Sequence, residues 1–553
     1  MSRPKLRIVP LGGLGEIGKN MMALEYAGDI MVIDAGLMFP EEDMPGIDFV
    51  IPDISYLLER KDRVRGIVIT HGHEDHTGAL PYVLPRLPAP IFATRLTQGL
   101  VAAKLKDAHC MSLTTLHEVS PRVGFKLGNS FEVEMFPVCH SIPDAAGLII
   151  RTPVGTVVHS GDFKFDHTPV DGRATSLTRL AQAGAEGVLL LMSDSTYVEL
   201  PGYTPSEMMV GQALERIINE APGRVIITTF SSLISRIQLV LAAAKKLGRK
   251  VCIVGHSMKE TVRIASELGY LTMPEGVVIN LGDIRNYPPD NLVLVMTGSQ
   301  GEPTSALVRI ANGDNPQVKI VPGDTVVMSA TPVPGNEALV NRTIDSLFRQ
   351  GASVVYEKIA PVHVHGHGSQ EELKLLISLV KPKFFIPIHG EYRHLSLHAK
   401  LACSLGMPSE NVLVLEDGDI LVLDENSAHK DGKAAAGNVY VDGMVMGDLA
   451  GVVLRDRRAL ARDGIVVAII PIDRDGGRLG GRPDIVARGF LEAKGEGEIL
   501  EAARDVVAAE LGQGGPHQLE VGLVNSRVKD ALTRFFYDKT KRRPMIVPVT
   551  IEV

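Results

Sequence analysis

Cysteine is scarce in this chain. Four occur in 553 residues, Cys110, Cys139, Cys252 and Cys403, and no two form a Cys-x-x-Cys pair. That spacing excludes a disulfide framework and a thiolate metal knuckle, and reads as reduced thiols in a cytoplasmic protein. Long apolar runs are also missing. No segment approaches the roughly 18 consecutive apolar residues of a membrane helix, and the opening Met-Ser-Arg-Pro-Lys-Leu-Arg-Ile lacks the apolar stretch of a secretion signal. Basic residues are in deficit, 57 Lys and Arg against 65 Asp and Glu, for a net charge of −8. A uniformly basic nucleic-acid-binding surface is thereby excluded. A local basic channel, or bound divalent cations, remains free to meet a phosphate backbone.

What is present is ordinary globular material. Hydrophobic residues make up 45% of the chain and charged residues 22%, enough for several cores. At about 100–200 residues per domain, the length predicts about three or four domains.

Against that background, His71-Gly-His73-Glu-Asp75-His76 stands out, directly after the apolar run Val64–Thr70. Four metal-ligating side chains fall within six positions at the end of a predicted buried strand. Their order sorts them into two sets: His71 and His73 can meet one ion, Asp75 and His76 a second. Imidazole nitrogen and carboxylate oxygen suit zinc or manganese. A stray His-x-His in a loop is common and means little, whereas the full hexapeptide behind a β-rich run predicts a dinuclear centre.

The N-terminal Gly13-Leu-Gly15-Glu-Ile-Gly18 matches a dinucleotide fingerprint, with Asp34 about 20 residues on. The match requires a helix at the glycines. Residues 21–34 instead read as two strands joined at Ala27-Gly28-Asp29. Lys19 is followed by Asn, so a phosphate-binding P-loop fails as well. The glycines are expected to let the backbone pass close to the metal site, with Asp34 ending a strand that points toward it.

Two further strand ends complete the pattern. Phe131–His140 ends in His140, and Thr156-Val-Val-His-Ser-Gly-Asp162 ends in a carboxylate free to bridge two cations. His-x-His-x-Asp-His, then His, then Asp resembles the metallo-β-lactamase superfamily, a four-layer αββα sandwich with metals at one edge. That superfamily's last ligand is a distant histidine, and Lys383-Phe-Phe-Ile-Pro-Ile-His389 offers one. The interval from Asp162 to His389 leaves room for an inserted domain. Within it, residues 205–361 alternate short apolar strands with amphipathic helices, predicting a parallel sheet. Its strands run into polar loops such as Thr-Phe-Ser-Ser232 and Thr-Pro-Val-Pro-Gly-Asn336. Carboxyl ends of parallel strands are where ligands bind, and such loops suit phosphate and ribose oxygens.

Asp194, after the run Leu189–Met192, then His363-Val-His365-Gly366-His367-Gly-Ser369, and then His389 match motifs A, B and C of the β-CASP nucleases. With Leu11–Asn20 and Pro334-Gly-Asn336-Glu337 added, the chain closely resembles the bacterial ribonuclease J family over nearly its whole length. One departure is His365, where that family is expected to carry serine.

The resemblance implies a metal-dependent 5′-to-3′ exoribonuclease that also cuts internally. It would act on single-stranded RNA in mRNA decay and rRNA maturation, with preference for 5′-monophosphate ends. It further implies two divalent ions, zinc first with manganese or magnesium as alternatives. Homodimers or homotetramers and contact with RNA-degradation machinery also follow from it. By residue, His71, His73 and His140 would hold one ion and Asp75, His76 and His389 the other, with Asp162 bridging. Asp34 would orient a ligand histidine and Asp194 would support the site. His367 would lie near the scissile phosphate, with Asp75, Asp162, Asp194 and His367 forming the catalytic group. Ser232, Asn336, His363, His365, Gly366, His367 and Ser369 would contact RNA, five of them (Ser232, His363, His365, Gly366 and Ser369) around the 5′ phosphate. Alternation at His363, His365 and His367 would place all three on one face of a strand.

The expected organisation is α/β: a metallo-β-lactamase domain in two parts (1–204 and 362–430), a β-CASP insertion (205–361), a linker (431–460) and a small α+β domain (461–553). The nearest rivals are other β-CASP hydrolases, either a DNA 5′ nuclease or an endonuclease for RNA 3′ ends. A non-catalytic RNA-binding scaffold stands further off.

Overall fold

The computed structural model describes residues 4–41, 44–302, 304–333, 336–443, 445–447, 453–473, 479–491, 496–512 and 521–553. Pro334, Gly335 and much of the glycine-rich turn expected after Ile472 lie outside them. The chain divides into two compact units, 1–39 with 50–438, and 40–49 with 439–553.

The first unit is built on two stacked sheets. One has eight strands, in the order Ala428–Lys433, Asp419–Leu423, Leu6–Gly12, Met21–Tyr26, Asp29–Ile33, Val64–Val68, Ile91–Ala93 and Leu116–Glu118. The other has six, in the order Phe384–Ile388, Leu190–Asp194, Gly155–His159, Ala146–Thr152, Phe131–Pro137 and Gly124–Leu127. Alternate residues of both fill one core. Ile8, Leu24, Met31 and Val68 from the first meet Met135, Leu148, Val157, Met192 and Ile386 from the second. On the second sheet's other face, Ile149, Val158, Leu191 and Phe385 pack against the helices Leu177–Glu186, Gln370–Val380 and Tyr392–Ser404. With Arg95–Asp107 against the first sheet, this is the expected four-layer αββα sandwich.

Residues 21–33 form the expected hairpin, not a nucleotide-binding helix. Met22 pairs with Ile33 and Tyr26 with Asp29, and Ala27 and Gly28 take φ of 48° and 93°. Two consecutive positive φ values are what a two-residue turn needs to match the strand twist.

The insertion is a six-stranded sheet in the order Val278–Ile279, Lys250–Val254, Leu292–Met296, Val225–Thr228, Thr325–Met328 and Ser353–Val355. Every pairing in it is parallel. Its two faces carry separate cores: Val225, Ile227, Val251 and Val293 on one, Ile226, Cys252, Leu294 and Val326 on the other. Leu96 and Ile142 of the sandwich join the first of these cores.

The second unit has a three-stranded sheet, Asp484–Arg488, Ile465–Ile472 and Met545–Glu552, with helices Glu496–Gly512 and Val521–Thr540 on one face. This is an α+β arrangement. The stretch expected as a linker carries the strands Asn438–Asp442 and Val445–Gly447 and the start of the helix Val453–Asp463. Three- to five-residue strands among Gly, Lys and Asp are too short to show a period in sequence. No helix among the described residues is long and apolar enough to cross a membrane.

Ala27 holds a left-handed conformation that costs a non-glycine residue about 1–2 kcal/mol. Ala27→Gly should therefore stabilise the protein by about 0.5–1 kcal/mol after the extra chain entropy of glycine, read as a higher thermal midpoint. A lower midpoint would contradict the turn assignment.

Candidate metal centre

The hexapeptide changes conformation halfway. His71 follows the strand Val64–Val68, and His73 (φ −70°, ψ 158°) stands in extended backbone at the N-terminus of the short helix Glu74–Thr77. Asp75 and His76 therefore ride on a helical turn, and the switch at His73 separates the two ligand sets.

Outer contacts fix which nitrogen each ring turns inward. Asp34 Oδ1 accepts from the Thr70 amide at 2.8 Å, and its Oδ2 accepts from the Thr70 hydroxyl at 2.9 Å. The same Oδ2 accepts from His76 Nδ1 at 2.8 Å. Thr70 Oγ1, its hydrogen given to Asp34, accepts from His71 Nδ1 at 3.1 Å. His140 Nδ1 donates to the Gly366 carbonyl at 2.7 Å. Each bond turns Nε2 toward the site, the arrangement that metal-ligating histidines use.

The inward-facing nitrogens converge. His73 Nδ1 lies 3.0 Å from His71 Nε2 and 3.2 Å from His140 Nε2. Zinc–nitrogen bonds of about 2.0–2.1 Å in a tetrahedron put donors roughly 3.3 Å apart, so these three fit an ion with little movement. Asp75, His76, Asp162 and His389 form the second group, with ligand atoms within 4.8 Å of one another. Asp162 Oδ2 belongs to the second group and lies close to the first. It lies 3.2 Å from His76 Nε2 and 3.3 Å from His389 Nε2, and 3.7 and 3.9 Å from Nε2 of His71 and His140.

The two sets differ in charge. Burial holds His71 and His140 well below the ordinary histidine range and His73 at about 4, leaving all three neutral. Burial acts on His389 and His76 in the same direction, but Asp162 outweighs it, helped by Asp75 and Asp34 at His76. His389 is raised to about 9 and His76 well above the ordinary range. Asp162 and Asp75, despite burial, are held well below the carboxylate range by those histidines.

Asp194 and His367 form a dyad beside the ligands. The strands Leu190–Asp194 and Phe384–Ile388 pair in parallel with Asp194 opposite Ile388, which brings Asp194 next to His389. His367 Nδ1 donates to Asp194 Oδ2 at 2.7 Å, and Oδ1 is held by the Thr196 amide and hydroxyl at 3.0 and 2.7 Å. Burial lowers the affinity of His367 for a proton, but Asp194 and Asp162 reverse this and raise its pKa.

The expected RNA contacts divide differently. Residues 361–369 form no strand, so the three alternating histidines do not share a face. His363 Nδ1 accepts from Arg236 Nη1 at 3.0 Å, while His367 turns to Asp194. His365 donates to the His367 carbonyl at 2.8 Å and stacks flat on Tyr197, ring centres 3.9 Å apart. Ser369 is 2% exposed and caps the helix Gln370–Val380, its hydroxyl 3.1 Å from Thr204 Oγ1. Ser232 is half-buried before the helix Ile234–Lys246, and Asn336 stands immediately before the helix Glu337–Arg349. Among the described residues, no hydrogen bond joins either side chain to the metal group.

Four positions escaped the sequence reading: Asn20, Tyr197, Arg236 and Glu372. Arg236 is fully buried; it forks onto Glu207 at 2.7 and 2.9 Å and donates to the Ser329 carbonyl at 2.7 Å. Glu372, also fully buried, accepts from the amides of Phe165, Thr204 and Ser369. A charged residue in an amphipathic helix reads as surface, and nothing local marks these two as interior.

Comparison with known proteins agrees with this geometry. Residues 45–229 match the beta-lactamase superfamily domain, 222–347 the beta-CASP domain of ribonuclease J, 351–413 the Zn-dependent metallo-hydrolase RNA specificity domain, and 452–553 the ribonuclease J C-terminal domain. The chain is 42% identical to ribonuclease J 1 of Streptococcus pyogenes over 98% of this chain and 97% of that protein. It is 44% identical to ribonuclease J of Thermus thermophilus, covering 99% and 95%. The chain belongs to the ribonuclease J family. Ribonuclease J2 of Bacillus subtilis is 42% identical, with 99% of each chain covered. A solved protein of unknown function from Enterococcus faecalis aligns with 76% of this chain and all of its own, at TM-score 0.54 and 16% identity, which speaks to fold alone. As a ribonuclease J, the chain is a metal-dependent ribonuclease, and the His/Asp cluster is where a divalent cation fits.

In the metal-free protein, His389 gains a proton affinity on folding, from 6.5 to about 9. A folded pKa raised above the unfolded value adds stability that is complete below about 6.5 and lost as pH rises through about 9. The thermal midpoint of the metal-stripped chain should fall between pH 7 and pH 9.5, and fall less once metal replaces the ligand protons. A midpoint that rises over that window would contradict the charge assignment.

Proposed function

We propose that this ribonuclease degrades single-stranded RNA from the 5′ end, cuts internally as well, and prefers 5′-monophosphate ends. It would use two divalent ions, zinc first and manganese or magnesium as alternatives. The observation that carries the two-ion reading is Asp162 Oδ2, placed between a neutral three-histidine set and a charged Asp–His–His set. His71, His73 and His140 would hold one ion, Asp75, His76 and His389 the other. Such ions supply a nucleophile at neutral pH and positive charge against the phosphorane-like transition state.

The chain's own groups do the rest. Asp34, Thr70 and the Gly366 carbonyl hold ligand rings in one tautomer. Asp194 Oδ2 keeps a proton on His367 Nδ1 and raises the basicity of the ring, so His367 can deliver a proton from Nε2 to the departing 3′-oxygen. In-line displacement with a 3′-hydroxyl leaving gives 5′-phosphate products, and each cut regenerates the preferred end. For RNA contacts we favour Ser232, Asn336, His365 and His367. Ser369 and His363 are spoken for by Thr204 and Arg236, and would shape the segment from behind. The RNA specificity match over 351–413 supports RNA over DNA. We further propose action in mRNA decay and rRNA maturation, in the cytoplasm, as a homodimer or homotetramer, in contact with RNA-degradation machinery. We also propose the division into segments 1–204, 205–361, 362–430, 431–460 and 461–553.

The decisive assay compares 5′-monophosphate RNA, 5′-triphosphate RNA and matching DNA in zinc, manganese and magnesium. Mononucleotides should appear from monophosphate RNA, and His367→Ala should lower kcat by about 10²–10⁴-fold, the range for losing a proton donor. Equal cleavage of DNA would overturn the reading.

A further inference from the structure

The glycine segment Gly12–Asn20 contributes no metal ligand, yet its last residue touches the centre. The Asn20 amide donates to the Asp75 carbonyl at 3.0 Å and Asn20 Nδ2 to the same oxygen at 3.2 Å. Nδ2 also lies 3.5 Å from Asp75 Oδ2 and 3.2 Å from His76 Nε2. The Asn20 carbonyl in turn accepts from the Gly36 amide at 2.9 Å.

Asp75 is a ligand in need of such a contact. Its side chain is 31% exposed, against at most 4% for His71, His76, His140, Asp162 and His389. His76 leans on Asp34 and His140 on Gly366. For Asp75, Asn20 is the polar partner among the described residues that is not itself in a ligand group.

Asn20 is held from the other side by Lys19. Lys19 is 1% exposed, with φ of 56°. Its Nζ lies 2.6 Å from Asn438 Oδ1, 3.0 Å from Glu16 Oε1, 3.4 Å from the Gly437 carbonyl and 3.8 Å from Asp417 Oδ2. A buried ammonium is tolerated only with partners of this kind, and together they fix the left-handed backbone that aims Asn20 inward. Close packing locks the same place. A Cβ on Gly36 would lie 1.5 Å from the Asp75 carbonyl oxygen, and one on Gly13 2.2 Å from Asn20 Oδ1.

We propose that Asn20 is a positioning residue for Asp75, seated by Lys19, and that this loop sets the affinity of the second metal ion without ligating it. The proposal rests on the two-ion reading above. It gives the glycine segment a structural purpose in place of the nucleotide site it imitates. Partners one shell out from a metal typically change affinity by about 10–100-fold when removed.

The test is calorimetric titration of the metal-stripped full chain with Zn²⁺, and with Co²⁺ followed by its visible absorption. The unchanged protein should take two equivalents. Asn20→Ala should keep one at its original affinity and weaken the other about 10–100-fold, with the cobalt spectrum altered for that equivalent alone. Lys19→Met should weaken the same equivalent while leaving Asn20 present, and Asn20→Ser gives a second reading if the alanine variant does not fold. Two unaltered equivalents in Asn20→Ala, or two weakened equally, would overturn the proposal. An unchanged protein that takes one equivalent overturns the two-ion reading, and this inference with it.

Discussion

One carboxylate oxygen, Oδ2 of Asp162, lies within 4 Å of Nε2 on four histidines drawn from three separate stretches of chain. Burying an anion costs several kcal/mol unless positive charge meets it. Without metal that charge comes from protons on His76 and His389, and a bound divalent cation would supply it instead. The rest of the sandwich can be understood as the means of bringing those rings to that atom. The hexapeptide hangs from the strand Val64–Val68, His140 from Phe131–Pro137, and His389 from Phe384–Ile388. His389 takes φ of 53° to leave its strand, a conformation worth its cost only where the ring must face a fixed point.

The inserted domain is tied to this centre through buried polar contacts. Arg236, on an insertion helix, reaches Glu207, Ser329, His363 and the Val364 carbonyl. Two residues on, the Gly366 carbonyl holds His140, and His367 meets Asp194. From the opposite side, Glu372 joins Phe165, three positions past Asp162, to Thr204 and Ser369. The segment 363–369 is thus positioned by the insertion and in turn holds His140 and meets Asp194. That is a physical reason for the inserted domain to interrupt the sandwich at this point.

How much of this could be read in the sequence followed the range of each contact. The members of the His/Asp cluster at strand ends were legible, because an apolar run ending in His or Asp is a local pattern. The parallel sheet of the insertion was legible from strand–helix alternation, and the hairpin at Ala27-Gly28 from its turn residues. Contacts made by backbone carbonyls, such as that of Gly366 with His140, carry no sequence mark. Buried charges such as Arg236, Glu372 and Lys19 resemble surface residues until their distant partners are known. Ser369, expected as a phosphate contact, also stands at the N-cap of a helix, where Ser three residues before Glu372 spells a capping box. The alternation of His363, His365 and His367 misled for a related reason: period two implies one face only when the backbone is a strand.

The claim on which the account depends is that one oxygen serves both ligand sets. Metal content of purified Asp162→Asn, alongside the unchanged chain, tests it most directly. The variant keeps shape but loses charge, and should retain less than one equivalent of divalent metal while the unchanged chain retains two, with RNA cleavage lost in parallel. Retention of two equivalents by Asp162→Asn would contradict the account.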